Sequence, residues 1–171
     1  MTARRRFFSH AVLPLAGVLA ASLSGCGFAL RHAPELRFRT VQLSGFQPRS
    51  PLADELRRTI DSSTTTLVVD SLAQAQVVLE VVDDTRSKAV MAINSVGEVT
   101  EFQLRERFSF RLRSVAGREL IPTTSILLNR DLSYTESAAL GKEQEEAFLY
   151  RAMQSDIVAQ VLRRLASVET F

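Results

Sequence analysis

The chain has little of what builds redox, metal or nucleophilic sites. Its 171 residues include one cysteine, two histidines and no tryptophan. One cysteine cannot form an intrachain disulfide, and without a cluster of His or Cys we expect neither a zinc site nor a histidine-dependent triad. The glycine-rich phosphate loop and the Gly-x-Ser-x-Gly motif are missing too. We therefore expect no enzyme and no cofactor.

Long apolar runs are also missing. The longest, Ala11–Leu23, has about 13 residues and contains Pro14 and Gly17, whereas a membrane-spanning helix needs about 20. Three arginines, Arg4–Arg6, precede it, and the order of a basic segment, a short apolar run and small residues is typical of a secretory signal. Because Leu23-Ser24-Gly25-Cys26 resembles the bacterial lipobox, we expect cleavage before Cys26 and acylation of that cysteine.

Two details of this export signal bear on its route and destination. The Arg4–Arg6 run followed by Phe7 and Phe8 also resembles a twin-arginine signal, so the export route stays open. Gly27 follows the cysteine, where an Asp would favour retention in the inner membrane of enterobacteria. We therefore expect a lipid-anchored protein of the outer membrane that faces the periplasm.

Removal of the signal changes the charge balance. Residues 1–25 carry three arginines and no acid, so their loss takes the formal net charge from +2 to −1 over the remaining 146 residues. The basic pI of the whole chain is therefore no argument for binding nucleic acid. We expect a signal peptide over residues 1–25, a lipidated tether over 26–37, one folded domain over 38–166 and a tail over 167–171.

Period-two alternation of apolar and polar residues predicts the strands of that domain. The pattern predicts four strands, over residues 38–43, 76–93, 101–113 and 122–134. Residues 67–69 could form a further short strand. The segment 101–113 is the clearest, with apolar side chains at even positions and polar ones at odd positions, except Glu106. Its odd positions hold four arginines, which would share one sheet face: Arg105, Arg107, Arg111 and Arg113.

Two segments have helical periodicity. Ser50-Pro51 is typical of a helix start, and Leu52, Leu56 and Ile60 follow at the spacing of one buried face. A second helix over about 137–166 carries an apolar stripe through Leu149, Met153, Ile157, Val161 and Leu165. The sequence thus predicts an α+β fold, in which two helices pack on one face of a mainly antiparallel four-stranded sheet.

Several short motifs follow one another along nearly all of the mature chain. They are Cys26-Gly27-Phe28-Ala29-Leu30-Arg31, Gly117-Arg118-Glu119-Leu120-Ile121-Pro122 and Ala139-Leu140-Gly141-Lys142-Glu143-Gln144-Glu145-Glu146, then Met153, Asp156 and Arg163-Arg164-Leu165. In their order and spacing they resemble the LptE family of lipopolysaccharide-assembly lipoproteins, although His32 stands where most members have a glycine.

This resemblance implies a function that composition does not show. Members of the family are non-enzymatic plugs inside the β-barrel LptD, with which they insert lipopolysaccharide into the outer leaflet of the outer membrane. The resemblance therefore implies LptD and lipopolysaccharide as partners, and palmitate among the acyl groups on Cys26.

The resemblance also suggests candidate contact residues. Family members contact lipopolysaccharide through a basic residue near the start of the last helix, which Lys142 matches, and through another in the hairpin between the second and third strands. The corresponding hairpin, Asn94–Gly97, has no basic residue, so that role is unfilled or passes to Arg86 or Lys88.

The four arginines of segment 101–113 have two interpretations. Like charges on one sheet face repel each other, so an anion or an acidic wall, such as the barrel lumen or a lipopolysaccharide head group, would stabilise them. Alternatively, they form a solvated face that Glu101 and its neighbours balance.

Two other functions remain possible on the sequence. The chain could be a stand-alone outer-membrane lipoprotein that binds lipid or envelope glycan without a barrel partner. An enzyme based on Asp83-Asp84 or on the acidic residues 143–146 is disfavoured, because the aspartates point to opposite strand faces and the glutamates resemble a solvated helical turn.

Overall fold

The computed structural model describes residues 34–63 and 65–168. The predicted signal peptide, Cys26 and most of the predicted tether and tail lie outside these residues. The described part contains five strands and two helices, which are β1 (Thr40–Ser44), α1 (Pro51–Asp61), β2 (Leu67–Val69), β3 (Val77–Ile93), β4 (Val99–Ser114), β5 (Glu119–Ser133) and α2 (Ala139–Ala166).

The strands form one sheet in the order β2-β1-β3-β4-β5. β1 runs parallel to both of its neighbours, whereas the pairs β3–β4 and β4–β5 are antiparallel. The predicted α+β class is confirmed, but the predicted count of four strands is one too low. The fifth is the short segment Leu67–Val69, whose three residues pair with Thr40–Gln42. Three residues give too little alternation to identify a strand from sequence alone.

Helix α1 begins and packs as its sequence predicts. The Ser50 side chain accepts a hydrogen bond from the Ala53 amide at 3.2 Å, and Pro51 occupies the first turn, where its missing N–H costs nothing. Its three apolar residues at helical spacing, Leu52, Leu56 and Ile60, are buried. Each contributes about 1.5–3 kcal/mol by leaving water.

Helix α2 covers the same face of the sheet. Its predicted stripe is buried at Met153, Ile157, Val161 and Leu165. The C-terminal half of the helix joins α1 and the β4 residues Phe108 and Phe110 in the main core, while Met153 belongs to a smaller apolar cluster with Leu104 and Leu132. The even positions of β4 therefore point toward the helices and its odd positions point away.

A layer of polar side chains lies between Leu104 and Phe108 of β4, which belong to different apolar clusters. Glu106, the exception in the β4 pattern, is 0 % exposed and accepts two hydrogen bonds from its cross-strand neighbour Arg86, at 2.9 and 3.1 Å. Arg86 also donates to Gln154 of α2 at 3.0 Å, and the Gln154 amide donates to Glu55 of α1. One network thus connects the sheet to both helices.

Burial sets the electrostatics of this layer. It raises the pKa of the Glu106 carboxyl, and the hydrogen bonds from Arg86 oppose that shift. One carboxylate oxygen of Glu106 has no hydrogen-bond partner among the described residues. The buried charge consequently depends on Arg86 alone for direct compensation.

Removing that compensation should destabilise the protein in a pH-dependent way. We expect Arg86→Ala to lower the free energy of unfolding at neutral pH by about 2–3 kcal/mol, less than for a fully buried pair because Arg86 is 39 % exposed. The loss should shrink as the pH falls through the raised pKa of Glu106, because the protonated carboxyl no longer carries an uncompensated charge. Urea unfolding at several pH values measures this.

Two variants serve as controls for this prediction. Arg107 follows Glu106 on β4, on the face of the sheet that the helices do not cover. Arg107→Ala should change the free energy of unfolding by less than about 0.5 kcal/mol. Adding Glu106→Gln to Arg86→Ala should restore most of the lost stability at neutral pH. A loss that is the same at all pH values would contradict the account.

Candidate functional site

The open face of the sheet carries the arginine row of β4. Arg105, Arg107 and Arg113 are exposed and Arg111 is half-buried, as alternation along one strand requires. The predicted shared face is therefore confirmed. Neither helix covers it, since both pack on the opposite side.

The neutralising group for half of this row is Glu80 of β3. Arg111, which lies directly across from Glu80, donates to both of its carboxylate oxygens at 2.9 and 3.1 Å, and Arg113 approaches within 3.4 Å. The hydrogen bond from Arg111 lowers the pKa of the Glu80 carboxyl. Glu80, rather than the expected Glu101, balances this part of the face.

The other two arginines, Arg105 and Arg107, do not pair with a carboxylate among the described residues. Arg105 donates to the Gln103 side-chain oxygen at 2.7 Å, a neutral partner. Within residues 34–63 and 65–168, no hydrogen bond or ion pair of the Arg107 side chain is found, and its neighbour on β5 is the exposed Leu127. Arg105 and Arg107 thus form a cationic patch beside an apolar side chain.

A second basic feature lies where α2 begins. Lys88 of β3 and Lys142 of α2 line one cleft of about 140 Å³, together with Phe102, Tyr134, Ala139, Glu143 and Glu146. The Phe102 and Tyr134 rings meet edge to face with centroids 5.2 Å apart. Two lysines that are 54 residues apart in the chain therefore share one aromatic-walled site.

Each lysine of the cleft has a carboxylate partner. The Lys88 ammonium lies 2.6 Å from Glu146 and 4.1 Å from the centre of the Phe102 ring. The Lys142 ammonium donates to Glu145 at 2.8 Å and to the Ser133 hydroxyl at 3.2 Å. Both pairs are partly exposed to solvent, and such ion pairs are individually weak.

Arg86 lies apart from this cleft. Its guanidinium bonds to Glu106 and Gln154, and it lines a different depression next to Arg49 and the start of α1. Arg86 and Lys88 were the two candidates to replace the basic residue that the hairpin lacks. Of these two, only Lys88 lines the same cleft as Lys142.

Sequence reasoning missed several members of these sites. Glu146, interpreted as part of a solvated helical turn, is half-buried and paired with Lys88. Glu80, Phe102 and Tyr134 were not singled out as site residues. The parity of β4 and β5 places Phe102 and Tyr134 on the helix-covered face, but only the pairing register shows that both face the start of α2.

Two kinds of feature are absent from the described residues. Among residues 34–63 and 65–168, no group of three His, Cys, Asp or Glu side chains is arranged to hold a metal ion. Within the same ranges, no helix has both the length and the apolar character required to cross a membrane.

Known structures share this fold. An uncharacterized lipoprotein B from Nitrosomonas europaea, solved by solution NMR, is 31 % identical over 83 % of this chain and 92 % of its own, with a TM-score of 0.70. The rare lipoprotein B from Shewanella oneidensis is 21 % identical over 77 % of this chain and 96 % of its own, with a TM-score of 0.65. The minor lipoprotein from Acinetobacter baumannii is 17 % identical over 78 % and 94 %, with a TM-score of 0.62.

Comparison of the amino-acid sequence with known families identifies the family of this chain. No curated protein sequence matches the chain significantly. Residues 38–165, nearly the whole predicted domain, match the lipopolysaccharide-assembly family LptE. The chain therefore belongs to the LptE family of non-enzymatic lipoproteins that assist lipopolysaccharide assembly.

Proposed function

We propose that this protein is an outer-membrane lipoprotein that plugs the β-barrel of LptD and helps to insert lipopolysaccharide into the outer leaflet. Membership of the LptE family supports the process, and the lipobox-like Leu23–Cys26 supports a lipid anchor. In this proposal the signal peptide is removed, Cys26 is acylated, with palmitate among its acyl groups, and the domain over residues 38–166 enters the barrel.

The observation that best supports a direct contact with lipopolysaccharide is the two-lysine cleft. The lipid A part of lipopolysaccharide carries phosphates, and ammonium groups bind phosphates through charge-assisted hydrogen bonds. Lys88 on β3 and Lys142 on α2 line the same cleft. Their carboxylate partners keep the cleft close to neutral until a phosphate replaces them.

The cationic patch on the open face supports a contact with the barrel. Arg105 and Arg107 lack a carboxylate partner among the described residues, and they lie beside the exposed Leu127. An acidic wall with an apolar position would satisfy all three side chains. Arg111 and Arg113 are already balanced by Glu80 and contribute less.

The cleft is tested by changing its charges in opposite directions. We expect Lys142→Ala and Lys88→Ala each to lower the affinity for lipopolysaccharide about tenfold, because each removes one charge-assisted hydrogen bond. We expect Glu146→Gln to raise it, because Lys88 loses its competing partner. Binding of purified full-length variants to lipopolysaccharide in one detergent measures all three.

A lysine far from the cleft is not available, so an arginine provides the control. Arg58→Ala, at the end of α1, removes one positive charge without touching the cleft and should leave the affinity unchanged. Equal losses for Arg58→Ala and Lys142→Ala would show that only net charge matters. Unchanged binding in both lysine variants would eliminate the cleft as the site.

The contact with the barrel is tested by charge reversal on the open face. Arg105→Glu together with Arg107→Glu should reduce the amount of LptD that co-purifies with the tagged lipoprotein, because two acids then face the proposed acidic wall. The same reversal at Arg58 and Arg163, which lie on the helices, serves as the matched control. Normal recovery of LptD with the strand variant would overturn this contact.

A further inference from the structure

One end of the sheet brings the starts of three strands together around Arg39. The Arg39 amide donates to the Gln76 side chain at 2.7 Å, and the Arg39 carbonyl accepts from the Leu67 amide at 2.9 Å. The Gln76 carbonyl accepts from the amide of Val115, in the turn between β4 and β5, at 3.2 Å. The starts of β1, β2 and β3 and the β4–β5 turn therefore lie side by side. We call these residues the tether end, because the chain enters the domain here.

The tether end carries positive charge that ion pairs do not cancel. Within residues 34–63 and 65–168, three exposed arginines of this end have no side-chain hydrogen bond or ion pair, namely Arg37, Arg39 and Arg118. The nearby acids are Glu35, Asp61 and Glu119. Asp61 accepts a hydrogen bond from the Val68 amide, and Glu119 lies across from Arg113 on the open face.

Two apolar side chains are exposed beside these arginines. Leu67 is 59 % exposed and Val115 is 45 % exposed, and backbone hydrogen bonds connect both residues to Arg39 and Gln76. At the boundary of a membrane, cations contact anionic head groups and apolar side chains enter the edge of the acyl region. The composition of the tether end therefore suits an anionic lipid surface.

The length of the predicted tether favours the same surface. Pro34, the first described residue, follows Cys26 by eight positions, so the chain between them reaches at most about 28 Å. The β3–β4 hairpin lies at the other end of β4, about 54 Å away. An acylated Cys26 would therefore hold the tether end, rather than the opposite end, close to a membrane.

We propose that the tether end docks onto anionic phospholipid head groups in the leaflet that holds the acyl chains of Cys26. This inference rests on the lipid anchor of the proposed function. Arg37, Arg39 and Arg118 contact the head-group phosphates, while Leu67 and Val115 enter the edge of the acyl region. Because the anchor keeps the domain near the surface, these weak contacts form at a high effective concentration.

The test measures how closely the tether end approaches a membrane. The acylated protein is inserted into vesicles of phosphatidylcholine, with or without phosphatidylglycerol, that contain equal amounts of a lipid with a nitroxide on its head group. A fluorophore on Ala116→Cys, in the β4–β5 turn, is quenched when it lies near the nitroxide. We expect strong quenching only with phosphatidylglycerol. A fluorophore on Ser95→Cys, in the β3–β4 turn, should be quenched little on either vesicle.

Neutral variants identify the charges that make the contact. Arg39→Gln together with Arg118→Gln should lower the ratio of docked to undocked protein about tenfold on anionic vesicles, because each arginine near such a surface adds to the attraction. As the matched control, Arg49→Gln together with Arg151→Gln removes the same charge before α1 and in the middle of α2. This control should leave the quenching unchanged.

Three results would overturn the docking surface. Equal losses in the two double variants would show that only net charge matters. Equal quenching of the Ala116→Cys label with and without phosphatidylglycerol would show that the short tether alone holds the domain near the membrane. The third is a label that is not quenched on anionic vesicles. Since the substituted side chains are exposed, an unchanged midpoint of thermal unfolding will show that each variant is folded.

The mass of the purified protein separates this inference from the proposed function. An unacylated Cys26 would contradict the proposed lipid anchor, and the docking surface with it. If Cys26 is acylated and the Ala116→Cys label is not quenched on anionic vesicles, the anchor stands and only the docking surface fails.

Discussion

The arrangement of functional surfaces depends on the packing of α2 against one face of the sheet. Apolar side chains at even positions of β4 form the sheet side of that contact. The helix side consists of Met153, Ile157, Val161 and Leu165. Because side chains alternate along a strand, every residue committed to this core commits its neighbour to the open face. The arginine row on the outside of β4 is thus a consequence of the register that buries Leu104, Phe108, Phe110 and Leu112.

The same contact positions the two-lysine cleft. A helix of 28 residues is about 42 Å long, whereas a strand of 16 residues is about 54 Å long. The β3–β4 hairpin projects its apolar residues into solvent, and the start of α2 brings Lys142 to Lys88. The polar layer around Glu106 lies between this cleft and the main core. It connects both helices to the sheet through the Arg86 guanidinium and the Gln154 side chain.

Much of the fold was predictable because its signals are local. The Ser50-Pro51 start of α1, the stripe of α2 and the alternation of β4 each identify an element without knowledge of its neighbours. The strand Leu67–Val69 is not identifiable from sequence alone, because it has three residues and depends on its pairing with β1. The ion pairs were not predictable, because they depend on the register of β3 on β4. That register places Glu80 across from Arg111 and Arg86 across from Glu106. Likewise, Lys142 was suggested by a family motif, but its pairing with Lys88 required the fold.

The exposed surfaces of the domain fit a protein that works inside a partner. Within the described part of the chain, Arg105 and Arg107 have no carboxylate partner, and Arg107 lies beside the exposed Leu127. The measurement that tests this most directly is purification of the tagged full-length protein from its native envelope in mild detergent, followed by mass spectrometry of the proteins that accompany it. If the domain is a plug, one large outer-membrane β-barrel will be recovered in near-equal amount. Recovery of the lipoprotein alone would contradict it.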